Sequence, residues 1–227
     1  EPNQGGIILG KDNNWYFLTH HGTGDWSGRI VSLLPVTWVQ DWPIPGEVLP
    51  QNIGTMKWDG KIPFKHTEKL SIKRSDDFDE DCLAPQWQWN YQPRKDYFSL
   101  TERPGWLRLK AYRPLETNNL LKAGNTLTQR TFRKQNNDVT IKMDISNMQD
   151  GQKNGLCHFS SQHSAIGIVK EEDACYLEYR KNGNITKGIQ IHSEFVWFRT
   201  EWGMDGKSQY YYSLDGDNFL PFGEKYQ

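Results

Sequence analysis

The sequence predicts an all-β protein, and three observations predict it. No stretch of the 227 residues sustains the 3.6-residue apolar period of an amphipathic helix. Short runs alternate instead. In DVTIKMDI (138–145), Val139, Ile141, Met143 and Ile145 fall on one side and Thr140, Lys142 and Asp144 on the other. Turn residues punctuate such runs at short intervals, which is the pattern of a β-sandwich or barrel.

In chain order, WYFLTHH (15–21) and GRIVSLLPVTW (28–38) read as two strands around a glycine-rich loop. Pro35 makes the second an edge or broken strand, because proline has no N–H to give a ladder. A Pro-rich exit follows, and residues 51–74 carry few strand signals, so they read as a linker lying over a surface. A second segment starts at SDDFD (75–79). It is about 150 residues long, enough to bury roughly two-thirds of its unfolded surface. WLRLKAYR (106–113) alternates as a strand. DACYLEYR and ITKGIQI flank Lys181-Asn182-Gly183-Asn184, a hairpin signal, since a type I′ turn needs positive φ at both centres. QYYYSL (209–214) leads into a second hairpin turning at Asp215-Gly216.

With 27 basic and 28 acidic side chains the formal net charge is −1, which gives no electrostatic case for nucleic acid or an anionic membrane as partner. No apolar run is long enough to span a bilayer, and the start has no signal-peptide pattern. The chain opens at Glu1 without a Met and reads as a fragment, so its cellular location stays unassigned. The three cysteines, with no C-x-x-C pair, argue against a disulfide framework or a zinc site. Cys157 and Cys175 lie in strand-like runs and read as small buried hydrophobes.

Ten Trp, ten Tyr and ten Phe suit a core, and also suit stacking on the apolar faces of sugar rings. In LAPQWQWNYQP (83–93), Trp87, Trp89 and Tyr91 sit at spacing two, on one face of an extended strand. They form either a sugar platform or an inward core face, and the core is favoured. Trp106, Trp197 and Phe198 pose the same choice, and one of the neighbours Trp197 and Phe198 must point outward. Trp202, in TEWGMDG (200–206), is expected in an exposed loop. HHGTGDWSGR (20–29) gathers His20, His21, Asp25, Trp26 and Arg29 like part of a catalytic site. Alternation sends His20 and His21 to opposite faces, so they do not ligate one ion together.

NQGGIILGKDNNWYFLTHH (3–21) and GRIVSLLPVTWVQDWPIPG (28–46) resemble the last blade of the five-bladed propeller in glycoside hydrolase family 43. SDDFD, LAPQWQWNYQP and YFSLTERPGWLRL (97–109) resemble the concanavalin A-like sandwich that follows it in β-xylosidase and α-L-arabinofuranosidase members, also classed as carbohydrate-binding module family 91. The resemblance implies a last-blade fragment over 1–50, a linker over 51–74 and an antiparallel jelly-roll sandwich over 75–227. It implies inverting hydrolysis of xylose- or arabinose-containing chains, with one carboxyl as acid and one as base. In the family, those groups and a third carboxylate that tunes the acid come from earlier blades. Asp25, Asp76, Asp77 and Asp79 do not match their motifs, so no catalytic residue is expected in this chain.

Arg29 stands where the family's last-blade arginine reaches the sugar, and its rigid fork of donors suits hydroxyl groups. His20, His21 and Trp26 are candidate rim residues; a histidine satisfied by solvent or core is the competing reading. At the family's axial histidine this sequence offers Gln4 or Asn3, and glutamine is a weak ligand by itself. No cofactor is required, but related sandwiches hold a structural calcium near acidic runs such as SDDFDED. Asp76, Asp77 and Asp79 would supply part of the six to eight ligands calcium takes; a solvated acidic loop is the alternative. Family members continue past this C-terminus, so unpaired edges and homo-oligomers are expected. Two roles are expected: part of a hemicellulose hydrolase, the sandwich supporting the rest of the propeller as its partner, or a module that itself binds xylan or arabinoxylan through Trp87, Trp89 and Trp202.

Overall fold

The computed structural model describes residues 4–22, 29–63, 73–131 and 135–226. The chain forms two compact units, Glu1–Ser71 and Ile72–Gln227. Both are all-β.

In the first unit, β1 (Gly5–Leu9), β2 (Trp15–Gly22), β3 (Arg29–Val39) and β4 (Trp42–Pro45) form a four-stranded antiparallel sheet in that order. The β1–β2 turn is held by Asp12. Its carboxylate accepts from the Asn14 backbone N–H at 3.2 Å, from Asn14 Nδ2 at 3.0 Å and from the Tyr16 hydroxyl at 2.7 Å. A two-residue turn joins β3 to β4, with Gln40 and Asp41 both at positive φ (50° and 64°). Pro35 does not put β3 at an edge, since β3 lies between β2 and β4. The Pro35 carbonyl accepts from Gly46 N–H at 2.8 Å on the β4 side. Its missing N–H therefore faces the place where β4 has already ended at Pro45, and no ladder bond inside the sheet is lost. Residues 48–54, across the expected end of the blade, hold a small hairpin of β5 (Val48–Leu49) and β6 (Ile53–Gly54).

The second unit begins with short pairs. β7 (Gln88–Trp89) pairs with β10 (Leu127–Thr128), and β8 (Phe98–Ser99) with β9 (Arg108–Leu109). The strand expected over 106–113 is thus only two residues long. Beyond it a side chain replaces the neighbouring strand: Asn125 Nδ2 donates to the carbonyls of Tyr97 (3.1 Å) and Lys110 (2.7 Å). Then come β11 (Asn136–Asp144), β12 (Lys153–His158), β13 (Ser164–Glu171), β14 (Ala174–Lys181), β15 (Asn184–Ile191), β16 (Phe195–Gly203), β17 (Ser208–Ser213) and β18 (Leu220–Pro221). They make two four-stranded antiparallel sheets, β11-β16-β17-β18 and β12-β13-β14-β15.

The hairpin from β14 to β15 turns on Asn182 and Gly183, both at positive φ (47° and 88°), as the Asn-Gly pair predicts. The β17–β18 loop closes on Asp215, which accepts from the Asp217 and Asn218 backbone N–H groups. The inward faces of the two sheets meet in one core of Met143, Ile145, Ile166, Ile168, Leu177, Tyr179, Ile191, Val196, Phe198 and Tyr210. The alternation read in 138–145 holds: Met143 and Ile145 are buried, while Thr140 and Lys142 are exposed. Cys175 packs against this core, and burial pushes the Cys157 thiol up to about 11.

Tyr210 is fully buried, and its hydroxyl joins the sheets. It donates to the Ser164 carbonyl at 2.8 Å and accepts from the His158 backbone N–H at 2.9 Å. Beside it, His158 Nε2 lies 2.7 Å from Thr200 Oγ1, and the ring meets Trp202 edge-on. Burial lowers the His158 pKa from its ordinary 6.5. A histidine depressed in the folded state takes up its proton first when unfolded, so stability falls as pH drops through about 6.5. Tyr210→Phe leaves the His158 N–H unsatisfied, and the cost expected from urea unfolding is about 1–3 kcal/mol. Between pH 7.5 and pH 5.5 the wild-type chain should lose more stability than His158→Gln, measured by the same unfolding curves.

Candidate functional site

The first unit brings Arg29, His20 and His21 to one end of the β2–β3 pair. Arg29 opens β3 opposite Gly22, His21 pairs with Ile30 and His20 with Val31. Arg29 is exposed. His21 Nδ1 lies 3.0 Å from Ser32 Oγ on one face of the sheet. His20 takes the other face, where its buried Nδ1 has no hydrogen-bond partner among the described residues. The two histidines diverge as strand geometry requires. Trp26 and the loop around it lie outside the described residues.

The acidic run is organised around a ring. Asp76 accepts from Trp87 Nε1 at 2.7 Å and from the Phe78 backbone N–H at 3.0 Å, and Trp87 stacks on Phe78. Lys73 lies 3.8 Å from the same carboxylate, whose side chain is 7% exposed. Asp77 and Asp79 are exposed. Among the described residues, no group of three or more His, Cys, Asp or Glu side chains is placed to hold a metal ion.

Trp87, Trp89 and Tyr91 do not form a row of exposed rings. Trp87 is turned to Asp76, Trp89 packs on Phe98 at 4.9 Å, and Tyr91 is exposed. The strand there is only Gln88–Trp89, too short to align three side chains. Trp202 is not a loop residue. It lies in β16, 8% exposed, with its ring against His158. The apolar-inward alternation of β16 runs on to position 202, so the ring that sequence placed outside belongs inside.

The other face of β16 carries a surface the sequence reading did not assemble. Phe195, Trp197, Arg199 and Glu201 alternate with the buried Val196, Phe198, Thr200 and Trp202. Phe198 is the inward member of its pair and Trp197 the outward one. Lys142 Nζ lies 4.6 Å from the Phe195 ring centre, 5.0 Å from that of Trp197 and 5.5 Å from that of Trp106. Arg103 pairs with Asp144 and lies over Trp106 at 4.1 Å. Further along, an open cleft of about 690 Å³ lies over β11, β16 and β17, with Asp138, Arg199, Glu201, Gln209 and Tyr211 in its lining. Arg199 donates to Thr140 Oγ1 at 2.9 Å and rests on the Phe219 ring at 3.7 Å. Burial raises the Tyr211 pKa, and so does the Glu201 carboxylate, which accepts its hydroxyl. The alternation of 195–202 was the signal available for this face.

Residues 75–227 match the model of the beta xylosidase C-terminal concanavalin A-like domain. The chain belongs to that family. As a member of this xylosidase C-terminal family, it is 33% identical over 97% of its length to a beta-xylosidase of Formosa agariphila. It is 31% identical over 99% to a putative beta-xylosidase of Xylanibacter ruminicola. It spans 41% of the length of each of these curated relatives. Among solved structures, it superposes on a bifunctional GH43-CE protein of Bacteroides eggerthii with a TM-score of 0.72 at 30% identity, covering 99% of this chain and 29% of that one. A GH43 protein of Bacillus licheniformis shares the fold, with a TM-score of 0.72 at 24% identity, over 98% of this chain and 44% of that one.

Asp76 and Trp87 are buried partners at the entry to the family domain. Asp76→Ala strands the Trp87 N–H, and the chain should lose about 1–3 kcal/mol of stability in urea unfolding followed by tryptophan fluorescence.

Proposed function

We propose that this chain is the C-terminal part of a hydrolase acting on xylose- or arabinose-containing hemicellulose, its first unit a propeller blade and its sandwich a support for the catalytic domain. One observation carries this reading. The β1–β4 sheet exposes large apolar side chains on both faces, Ile7, Leu9, Trp15 and Trp38 on one and Ile8, Leu18, Val31 and Trp42 on the other. Contiguous apolar surface of this kind marks an interface. A sheet with two such faces fits between two neighbours, as a blade sits in a propeller. The family membership and the names of the curated relatives support the same reading.

In this reading the rest of the enzyme supplies the acid that protonates the leaving oxygen and the base that activates water across the ring. Arg29 contributes a guanidinium at the exposed end of β3, aimed at sugar hydroxyls. His20 and His21 stand on the two faces beside it, as rim groups. The longer enzyme should hydrolyse nitrophenyl β-xyloside or nitrophenyl α-arabinofuranoside, and the 227-residue chain neither. In the longer enzyme, Arg29→Ala should lower kcat/KM by roughly 10–100-fold. Hydrolysis by the chain alone, or a longer enzyme inactive on both substrates, would overturn the proposal.

A further inference from the structure

The outer face of β11, β16 and β17 breaks a rule of sheet design. Asp138 and Glu201 are directly opposite each other in the β11–β16 register, and Glu201 is opposite Gln209 in β17. Like charges at opposed positions destabilise a strand pair. Both carboxylates are exposed, so neither contributes to the core. Departures from local consistency of this kind are expected where a surface serves a ligand.

The chemistry of the cleft narrows the ligand. Its charged lining is balanced: the carboxylates of Asp138, Glu201 and Asp205 stand against the cations of Arg199, Lys207 and Lys225. A balanced lining selects neither an anion nor a cation. Gln209 and Tyr211 add an amide and a phenol, so donors and acceptors alternate over a few ångströms. That suits a neutral molecule whose every polar group both donates and accepts, as a hydroxyl does. At about 690 Å³ the cleft lies within the roughly 300–1,000 Å³ usual for small-molecule sites. Trp197 stands on the same face two residues from Arg199, about 6.5–7 Å along the strand, and offers a ring on which an adjoining sugar could stack.

We infer that this cleft binds a xylo-oligosaccharide, a neutral chain of hydroxyl-bearing rings, across Asp138, Glu201 and Gln209, with the chain continuing toward Trp197. The inference rests on the reading of the chain as part of a xylose-chain hydrolase, and it moves sugar contact from Trp87, Trp89 and Trp202 to the outward side of β16. Hydroxyl groups donating to both carboxylates offset the repulsion that the empty face carries.

Calorimetric titration of the 227-residue chain with xylohexaose tests it, using Asp138→Asn and Glu201→Gln as near-isosteric variants. The wild-type chain should bind, and each variant should bind roughly tenfold more weakly or worse. Each variant should also melt about 1–3 °C higher, because the like-charge pair is gone. Weaker binding with a higher melting point is a combination that damage to the fold does not produce. Undiminished binding by both variants would overturn the inference, and so would weakened binding with a lowered melting point. If the wild-type chain does not bind while the longer enzyme hydrolyses nitrophenyl β-xyloside, the cleft assignment fails alone. If the longer enzyme hydrolyses neither chromogenic substrate, the underlying reading fails and takes this inference with it.

Discussion

The hydroxyl of Tyr210 sits between the two sheets of the larger unit, and both are held around it. It ties β17 to the carbonyl of Ser164 at the start of β13 and to the His158 N–H at the end of β12. A polar atom at that depth is tolerated only with its partners in place. Those partners fix which part of one sheet lies over which part of the other. The apolar side chains around it provide the driving force, but Leu, Ile and Val contacts are nondirectional and would accept several alignments. The Tyr210 contacts accept one.

That alignment decides what the outward faces can do. Because Val196, Phe198, Thr200 and Trp202 point inward, Phe195, Trp197, Arg199 and Glu201 are presented together outside. Strand pairing then sets Asp138 against Glu201, and Arg199 against Tyr211. The core and the cleft are thus two sides of the same strand. The cleft inherits its rigidity from the packing beneath it, which is what a binding surface needs to hold several hydrogen-bonding groups in register.

The smaller unit obeys a different logic. A four-stranded sheet normally covers one face, yet this one leaves tryptophans and branched side chains exposed on both. Its hydrogen bonding is complete along the strands, while its hydrophobic burial is not. Arg29, His20 and His21 are grouped at the end of such a sheet by strand pairing alone. Their chemistry is therefore set by whatever lies beyond the sheet end, in contrast to the outer face of β16, where the neighbouring groups all belong to this chain.

Much of this was legible in the residue order. Alternation in 138–145, the Asn182-Gly183 turn and the divergence of His20 and His21 are local, and backbone geometry enforces them wherever the segment sits. The long motifs at 83–93 and 97–109 carried the family. Tertiary structure decided the rest, because it depended on neighbours distant in sequence. Asp76 reads as a candidate calcium ligand until Trp87 is seen taking one of its oxygens. Trp202 reads as loop until β11 and β17 extend β16 past it. Pro35 reads as an edge until β4 is seen to stop beside it. The Asp138–Glu201 pair, 63 residues apart, exists only through the β11–β16 register. Alternation tells which side chains share a face of one strand; only pairing across the sheet tells which of them meet.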